Sequence, residues 1–296
     1  MKKALVTGGA GFVGSNLVNK LIEKKIETIV IDNLSSGKKK NLNKKAKFIK
    51  GNILNKNLLT KISKNCDVIF HLAAMTNIQE SIKDPKNCIK CNIEGTLNVI
   101  DACLKNNSKL VFASSSAVYP LQGKKKFDEK AKVDPATPYA ISKKTSEDLI
   151  FFYKKKINYV ILRCFNIYGK NQNLDSLYSA VIPKFIKLAK KKKILELYNG
   201  GNQKRDFIYI DDVTDVYIKL AKKKVNGLFN VGSEKAVSIK HLANMIVKKV
   251  KYGKIVKGQK KISDAKFSCA NISKLKKVLK LNKLVNLSVG LSKIIN

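Results

Sequence analysis

The sequence predicts an α/β protein: a doubly wound parallel sheet followed by a smaller C-terminal α/β lobe. Three observations carry that expectation. Through residue 165, short apolar runs alternate with longer amphipathic ones, as a parallel sheet covered by helices on both faces requires. The first run, Ala4-Leu5-Val6, breaks into Thr7-Gly8-Gly9-Ala10-Gly11-Phe12-Val13-Gly14, which reads as a strand turning through glycines into a helix. The second, Ile29-Val30-Ile31, ends in an acid, Asp32, where a βαβ unit would place one.

In chain order, the apolar runs predict strands at 3–7, 27–31, 46–49, 67–71, 109–114 and 158–163. Amphipathic periodicity predicts helices at 12–24, 55–63, 86–106 and 138–156, the last opened by Pro138. After Asn166 the alternation becomes irregular. A helix near 178–190, a strand near 194–198, a segment at 207–210, a helix at 212–222, a short strand at 228–231 and a helix at 238–250 fit a smaller lobe. At 296 residues the chain is expected to divide into 1–165 and 166–296, with some chain near 207–232 returning to the first part.

No apolar stretch approaches the length of a membrane span, and the Lys2-Lys3 start runs into glycines before a signal-peptide core can develop, so a cytoplasmic location is expected. The six cysteines include one close pair, Cys88 and Cys91, with no second pair or histidine cluster beside it; buried reduced thiols are expected rather than a metal site. A net charge of +39 raises nucleic-acid binding, but the lysines are dispersed through nearly every predicted helix and loop without a nucleic-acid-binding signature. All but two of the 60 basic residues are lysine, a skew that points to compositional bias. Against that background, Arg163 and Arg205 suggest places where a planar guanidinium is needed to grip a carboxylate or phosphate.

The glycine turn reads as a phosphate cradle. Gly8 can make the tight turn, Gly11 lets the main chain approach a pyrophosphate, and Gly14 lets the helix pack on the strand, although the spacing differs by one residue from the commonest dinucleotide fingerprint. Asp32 can accept both ribose hydroxyls of adenosine, and its charge would repel the extra phosphate of NADP, which favours NAD. Tyr139 and Lys143 are four apart on one helical face; the ammonium and an oxidised nicotinamide would favour the phenolate, which could exchange a proton with a substrate hydroxyl. Ser114-Ser115-Ser116, at the end of a predicted strand, could bond the same substrate oxygen, or simply make a polar strand end.

With these motifs assembled, the chain resembles the extended short-chain dehydrogenase/reductases, in the nucleotide-sugar epimerase/dehydratase family, and among them the UDP-hexose 4-epimerases. The resemblance covers nearly the whole chain. It rests on Thr7 to Gly14, Asp32 to Gly37, His71 to Ala74, Asn92 to Asn98, Ser114 to Tyr119, Tyr139 to Lys143, Leu162 to Gly169, Arg205 to Phe207 and Asn230 to Gly232. It implies a Rossmann fold, a UDP-sugar substrate and a homodimer formed through helices near 86–106 and 138–156. Ser115 falls at the catalytic Ser/Thr position, Tyr139 at the acid/base and Lys143 at the lysine that bonds the nicotinamide ribose. Contacts to NAD are implied for Phe12, Val13, Asn33, Ser36, Asn52, Ile53, Leu72, Ala73, Ala74 and Asn92 as well as the glycines and Asp32. Ser116, Asn166, Tyr198, Arg205, Lys261, Asp264 and Ser268 are implied on the sugar nucleotide, with Arg163 in a structural part of its motif.

Some positions depart from the family pattern. Asn52 replaces an Asp beside adenine, Cys164 a frequent aromatic, Pro120 a glycine, and Lys261 an arginine. Related dehydratases and decarboxylases carry acids just after the catalytic Ser/Thr, where this chain has Ser116 and Ala117. The resemblance therefore implies epimerisation at carbon 4 through a transient ketone. A small residue at position 268 leaves room beside carbon 2 for an acetamido group. The alternatives are a sugar-nucleotide dehydratase or reductase and, from another class, a cofactor-binding or RNA-associated scaffold.

Overall fold

The computed structural model describes residues 1–123, 125–172, 180–259, 265–281 and 283–295. The chain forms strands β1 (Lys3–Thr7), β2 (Glu27–Asp32), β3 (Lys47–Lys50), β4 (Val68–His71), β5 (Lys109–Ser115), β6 (Tyr159–Cys164), β7 (Asn166–Tyr168), β8 (Leu195–Leu197), β9 (Lys204–Tyr209), β10 (Gly227–Val231), β11 (Ala236–Ser238), β12 (Ile255–Lys257) and β13 (Phe267–Ser268). Its helices are α1 (Phe12–Glu23), α2 (Lys56–Ile62), α3 (Ile78–Lys83), α4 (Pro85–Ile89), α5 (Gly95–Asn106), α6 (Pro138–Phe152), α7 (Val181–Lys190), α8 (Ile210–Lys222), α9 (Ile239–Val250), α10 (Ser273–Leu279) and α11 (Leu287–Ile295).

Seven strands make one sheet in the order β3-β2-β1-β4-β5-β6-β10. The pairs β2/β3, β1/β2, β1/β4 and β4/β5 are all parallel. This is the doubly wound α/β sheet that the alternating pattern predicts, and the strand order reverses between β1 and β4, where such sheets bind their ligands. The central strands are largely apolar and buried because both faces are covered. Leu5, Ile31, Ile69, Leu110, Phe112 and Ile161 share a core with Val99, Ile100 and Cys103 of α5 and Leu59 of α2. Each such side chain taken from water contributes about 1.5–3 kcal/mol.

The expected helix at 86–106 is divided. Its Lys90–Glu94 portion follows the wider π turn between α4 and α5, an insertion that a periodicity of 3.6 does not reveal. Likewise the expected helix at 138–156 ends as α6 at Phe152 and continues as turns.

Two compact units divide the chain. The first comprises Met1–Val118, Pro135–Arg163 and Thr214–Phe229. The second comprises Tyr119–Asp134, Cys164–Val213 and Asn230–Asn296. Within the second, β9 pairs in parallel with β7 and β13 and antiparallel with β11, and β8 pairs with β12. Asp206, fully buried on β9, accepts hydrogen bonds from Ser233 N and Oγ, Glu234 N and Ala270 N and so gathers three stretches of chain around this small sheet. Of the free cysteines, Cys91 is half-buried and the other five are buried. Among the described residues, no helix is long and apolar enough to cross a membrane.

Candidate active site

In the first unit, β1 delivers the chain into a turn that only glycine can make. Gly8 has φ +70°, and a Cβ there would meet the Ala73 nitrogen at 2.6 Å. Gly14 is equally constrained, since a Cβ would lie 2.2 Å from the Gly8 oxygen. Gly11 precedes the first turn of α1, with no side chain capping it and no acid in that turn, so the helix N-terminus presents free donors and a positive dipole end. Phe12 and Val13, half-buried, form the first turn of α1.

Asp32 closes this cradle from the end of β2. Its Oδ2 accepts from Ala10 N at 2.9 Å and its Oδ1 from Leu34 N at 2.8 Å, which orients the carboxylate and leaves lone pairs for hydroxyls. Asn33 and Ser36 are exposed on the following loop, where Asn33 Oδ1 accepts from Ser35 N. Asn52 is exposed and bonds its own turn through Leu54 N, while Ile53 is buried beneath Gly95. Leu72, Ala73 and Ala74 continue β4 at the switch point, Leu72 N bonding Thr7 O and Ala73 N bonding Thr7 Oγ1. A glycine turn without room for a Cβ, an uncapped helix start and an oriented acid fit a dinucleotide.

Beneath the cradle lies a chain of buried polar groups. Thr96 Oγ1 donates to Asn92 O, so it accepts from His71 Nε2; His71 Nδ1 then accepts from Thr7 Oγ1. The imidazole is therefore neutral with its proton on Nε2. Burial, with the Lys143 cation adding to it, pushes its pKa down to about 3. Asn92 sits in the π turn with its amide engaged: Oδ1 accepts from Met75 N, and Nδ2 donates to Met75 O and to Ser142 Oγ. It ties the loop after β4 to α6.

The candidate reactive groups of this unit stand on α6 and at the end of β5. Thr137 caps α6 through Ala140 N and Pro138 starts it, so Tyr139 occupies the first turn, half-buried, with Lys143 one turn on. Lys143 is 3% exposed; its Nζ donates to Ala113 O at 2.9 Å, 4.8 Å from the centre of the Phe112 ring and 6.0 Å from that of Tyr139. A cation held there lowers the cost of a Tyr139 phenolate. Ser115 is half-buried with Oγ accepting from Ala117 N, and Ser116 begins the short helical turn that follows. Sequence spacing alone left undecided the partners of two residues of this region. Ser114 turns into the core to bond Glu147, and Arg163 grips the same carboxylate.

The second unit carries a cavity of about 380 Å³ whose lining includes Asn166, Tyr198 and Arg205. Asn166 Nδ2 donates to Asp206 O, which fixes the amide at the head of β7. Arg205, half-buried on β9, donates from Nη1 to Lys204 O. Lys184 of α7 places its ammonium 5.8 Å from the centre of the Tyr198 ring. Ser268 pairs in register with Arg205 across β13 and β9. Phe207, the end of a motif quoted above, also lines the cavity, as do Lys184 and Gln203, which neither motif nor spacing singled out. An aromatic ring with one cation beside it, and a guanidinium elsewhere in the same lining, suits a base and its phosphates. Lys261 and Asp264 lie outside the described residues.

The profile of the NAD dependent epimerase/dehydratase family matches residues 4–232. A UDP-N-acetyl-alpha-D-glucosaminuronate decarboxylase from Bacillus cytotoxicus is 36% identical over 256 residues, 83% of this chain and 79% of the relative. Among solved structures, a UDP-glucose 4-epimerase from Thermotoga maritima, crystallised with UDP-glucose, superposes with a TM-score of 0.95 at 30% identity, covering 99% of this chain and 97% of its own. A UDP-N-acetylglucosamine 4-epimerase from Methanobrevibacter ruminantium M1, in complex with UDP-N-acetylmuramic acid, gives 0.94 at 35% identity with the same coverage. The chain belongs to the NAD dependent epimerase/dehydratase family, and its cofactor is NAD.

Proposed function

We propose that this family member epimerises a UDP-hexose at carbon 4, with UDP-glucose and UDP-galactose, and their N-acetylated counterparts, as the candidate pairs. The observation that carries this reading is the set Ser115, Tyr139 and Lys143 without a carboxylate at Ser116 or Ala117. Elimination of water needs a second acid or base at the sugar, and neither residue can act as one. The same departure stands against a decarboxylase, although one is among the relatives.

Bound NAD supplies the hydride acceptor at carbon 4 and afterwards the donor. Tyr139 takes the carbon 4 hydroxyl proton and returns it once the ketone has presented its other face. Lys143 keeps the phenolate accessible at neutral pH, and the Ser115 hydroxyl bonds the reacting oxygen. Asn166 and Arg205 hold the pyrophosphate and Tyr198 stacks near uracil, so binding energy remote from the sugar retains the ketone while the ring turns.

Ser268, opposite Arg205 in register, supports acceptance of a 2-acetamido group because a serine leaves space that a larger residue would fill. A homodimer is supported by apolar side chains exposed on the helices that the family resemblance implicates: Ile89, Ile141 and, at 80% exposure, Phe152.

Proton NMR of UDP-glucose and UDP-N-acetylglucosamine, each incubated with purified protein and no added cofactor, tests the reading. The expected result is the 4-epimer of at least one sugar, and a Ser268→Tyr variant that loses the acetylated sugar first. Loss of water or of carbon dioxide from a nucleotide sugar, without an epimer, would replace the proposal with the dehydratase or decarboxylase reading.

A further inference from the structure

Tyr139, Lys143 and Glu147 recur every four residues, so they share one face of α6. The second and third of them each hold β5, at consecutive residues. Lys143 Nζ donates to Ala113 O at 2.9 Å, and Ser114 Oγ donates to Glu147 Oε1 at 2.5 Å. Ser115 is the next residue along the strand. Glu147 has no exposed surface, and Arg163, on the neighbouring strand β6 and 4% exposed, balances it: Nε donates to Oε1 at 2.9 Å and Nη2 to Oε2 at 2.6 Å. Both oxygens of Glu147 are thus spent on two strands of the sheet.

A buried ion pair of this kind seldom earns its place through stability, because an apolar pair of similar volume serves as well or better. What an apolar pair cannot do is set register. Two forked hydrogen-bonding groups and one hydroxyl fix how far β5 stands along α6, to within the tolerance of a hydrogen bond. We propose that Glu147 is a positioning residue for the proposed reaction: through Ser114 on β5 and Arg163 on β6 it holds the strand that ends in Ser115 in register with the helix that carries Tyr139 and Lys143. The inference rests on the reading of Ser115, Tyr139 and Lys143 as the reacting set. It predicts that damage to the contact lowers kcat far more than it weakens binding, since the nucleotide parts of NAD and of the sugar nucleotide are assigned to other residues, the glycine turn with Asp32 and Asn166, Tyr198 and Arg205.

Two variants test it. Ser114→Ala removes the strand contact and keeps the Glu147–Arg163 pair. The double variant Glu147→Met with Arg163→Met removes both charges at once, so the local net charge is unchanged and no ion is orphaned. Each is expected to lower kcat by about tenfold or more, with KM within about twofold of the parent, because misplacement of reacting groups costs turnover rather than ground-state binding. Ser114→Thr, which keeps the hydroxyl, should restore most of the loss.

A second readout needs no sugar. In the NAD-loaded protein, the tyrosinate absorbance that a Tyr139→Phe control removes should titrate at higher pH in the double variant, because Lys143 no longer stays over that ring while His71 beside it remains neutral. Wild-type kcat and wild-type tyrosinate titration in both variants would overturn the proposal, as would a loss confined to KM or to NAD content. If the parent enzyme epimerises neither sugar, the proposed reaction fails on its own, and the tyrosinate titration still decides the part played by Glu147.

Discussion

Acid should weaken this fold through one histidine. His71 is held neutral, with a pKa of about 3 against 6.5 for the free side chain, chiefly by burial and secondarily by the Lys143 cation. The depressed value belongs to a base, so between these limits the unfolded chain binds a proton that the folded chain refuses. Stability therefore falls as pH drops below about 6.5 and levels off near 3. At pH 5 the lost stabilisation is about 2 kcal/mol relative to pH 7, since each unit of mismatch is worth about 1.4 kcal/mol. The perturbation is His71→Gln, whose amide can accept from Thr7 and donate to Thr96 without titrating. Urea unfolding at pH 7 and pH 5, with saturating NAD at both, should show the parent losing about 2 kcal/mol more than the variant between the two conditions. The chain has only two histidines, His71 and His241, so proton NMR can follow both, with His241→Gln as the assignment control. An equal loss in parent and variant, or a His71 signal that titrates near its free value, would refute the reasoning.

Other substitutions probe the remaining parts of the site. Tyr139→Phe should lower turnover by about a thousandfold while NAD content and nucleotide affinity stay at parental values, as expected for a group that acts only on the reacting proton; stopped and continuous NMR assays with a parallel NAD determination check it. Gly8→Ala forces a Cβ against the Ala73 backbone at a left-handed φ, and should reduce NAD retention by about tenfold or more and lower the urea midpoint, a strain of about 1–2 kcal/mol from the backbone alone. Phe152→Lys combined with Ile141→Lys should shift sedimentation from dimer to monomer, and a monomeric parent would end the dimer reading.

Much of the first unit is legible in sequence because its signals are local. A glycine that needs φ > 0, an acid ending the second strand, and a tyrosine and lysine four apart are all written within one or two turns of chain. The alternation of apolar runs that predicted the sheet follows from burial on both faces. Less could be read where the partner is distant. β7, β11 and β13 are two or three residues long and exist because β9 offers them an edge. No periodicity marks a strand as short as Phe267–Ser268, whose register with Lys204 and Arg205 is set by tertiary packing. Arg163 announced itself by its rarity among lysines, but whether it met a phosphate or a carboxylate depended on Glu147, and only the fold put the two together. Asn92 belongs to a recognisable motif, yet its task of clamping Met75 to Ser142 arises from the π turn, which leaves no pattern in the residues around it.

The interleaving of the two units has an evolutionary and practical side. The last strand of the large sheet, β10, enters more than sixty residues after β6, the strand it adjoins, and β7, α7, β8 and β9 between them belong to the other unit. No single cut in the gene yields the first unit intact. A fragment stopping after β6 would keep the glycine turn and the tyrosine-lysine pair but expose a bare and largely apolar sheet edge, the kind of surface on which chains aggregate. Recombination that trades either unit between relatives must therefore exchange separate stretches together, so such a chain is more easily altered one residue at a time than by swapping modules.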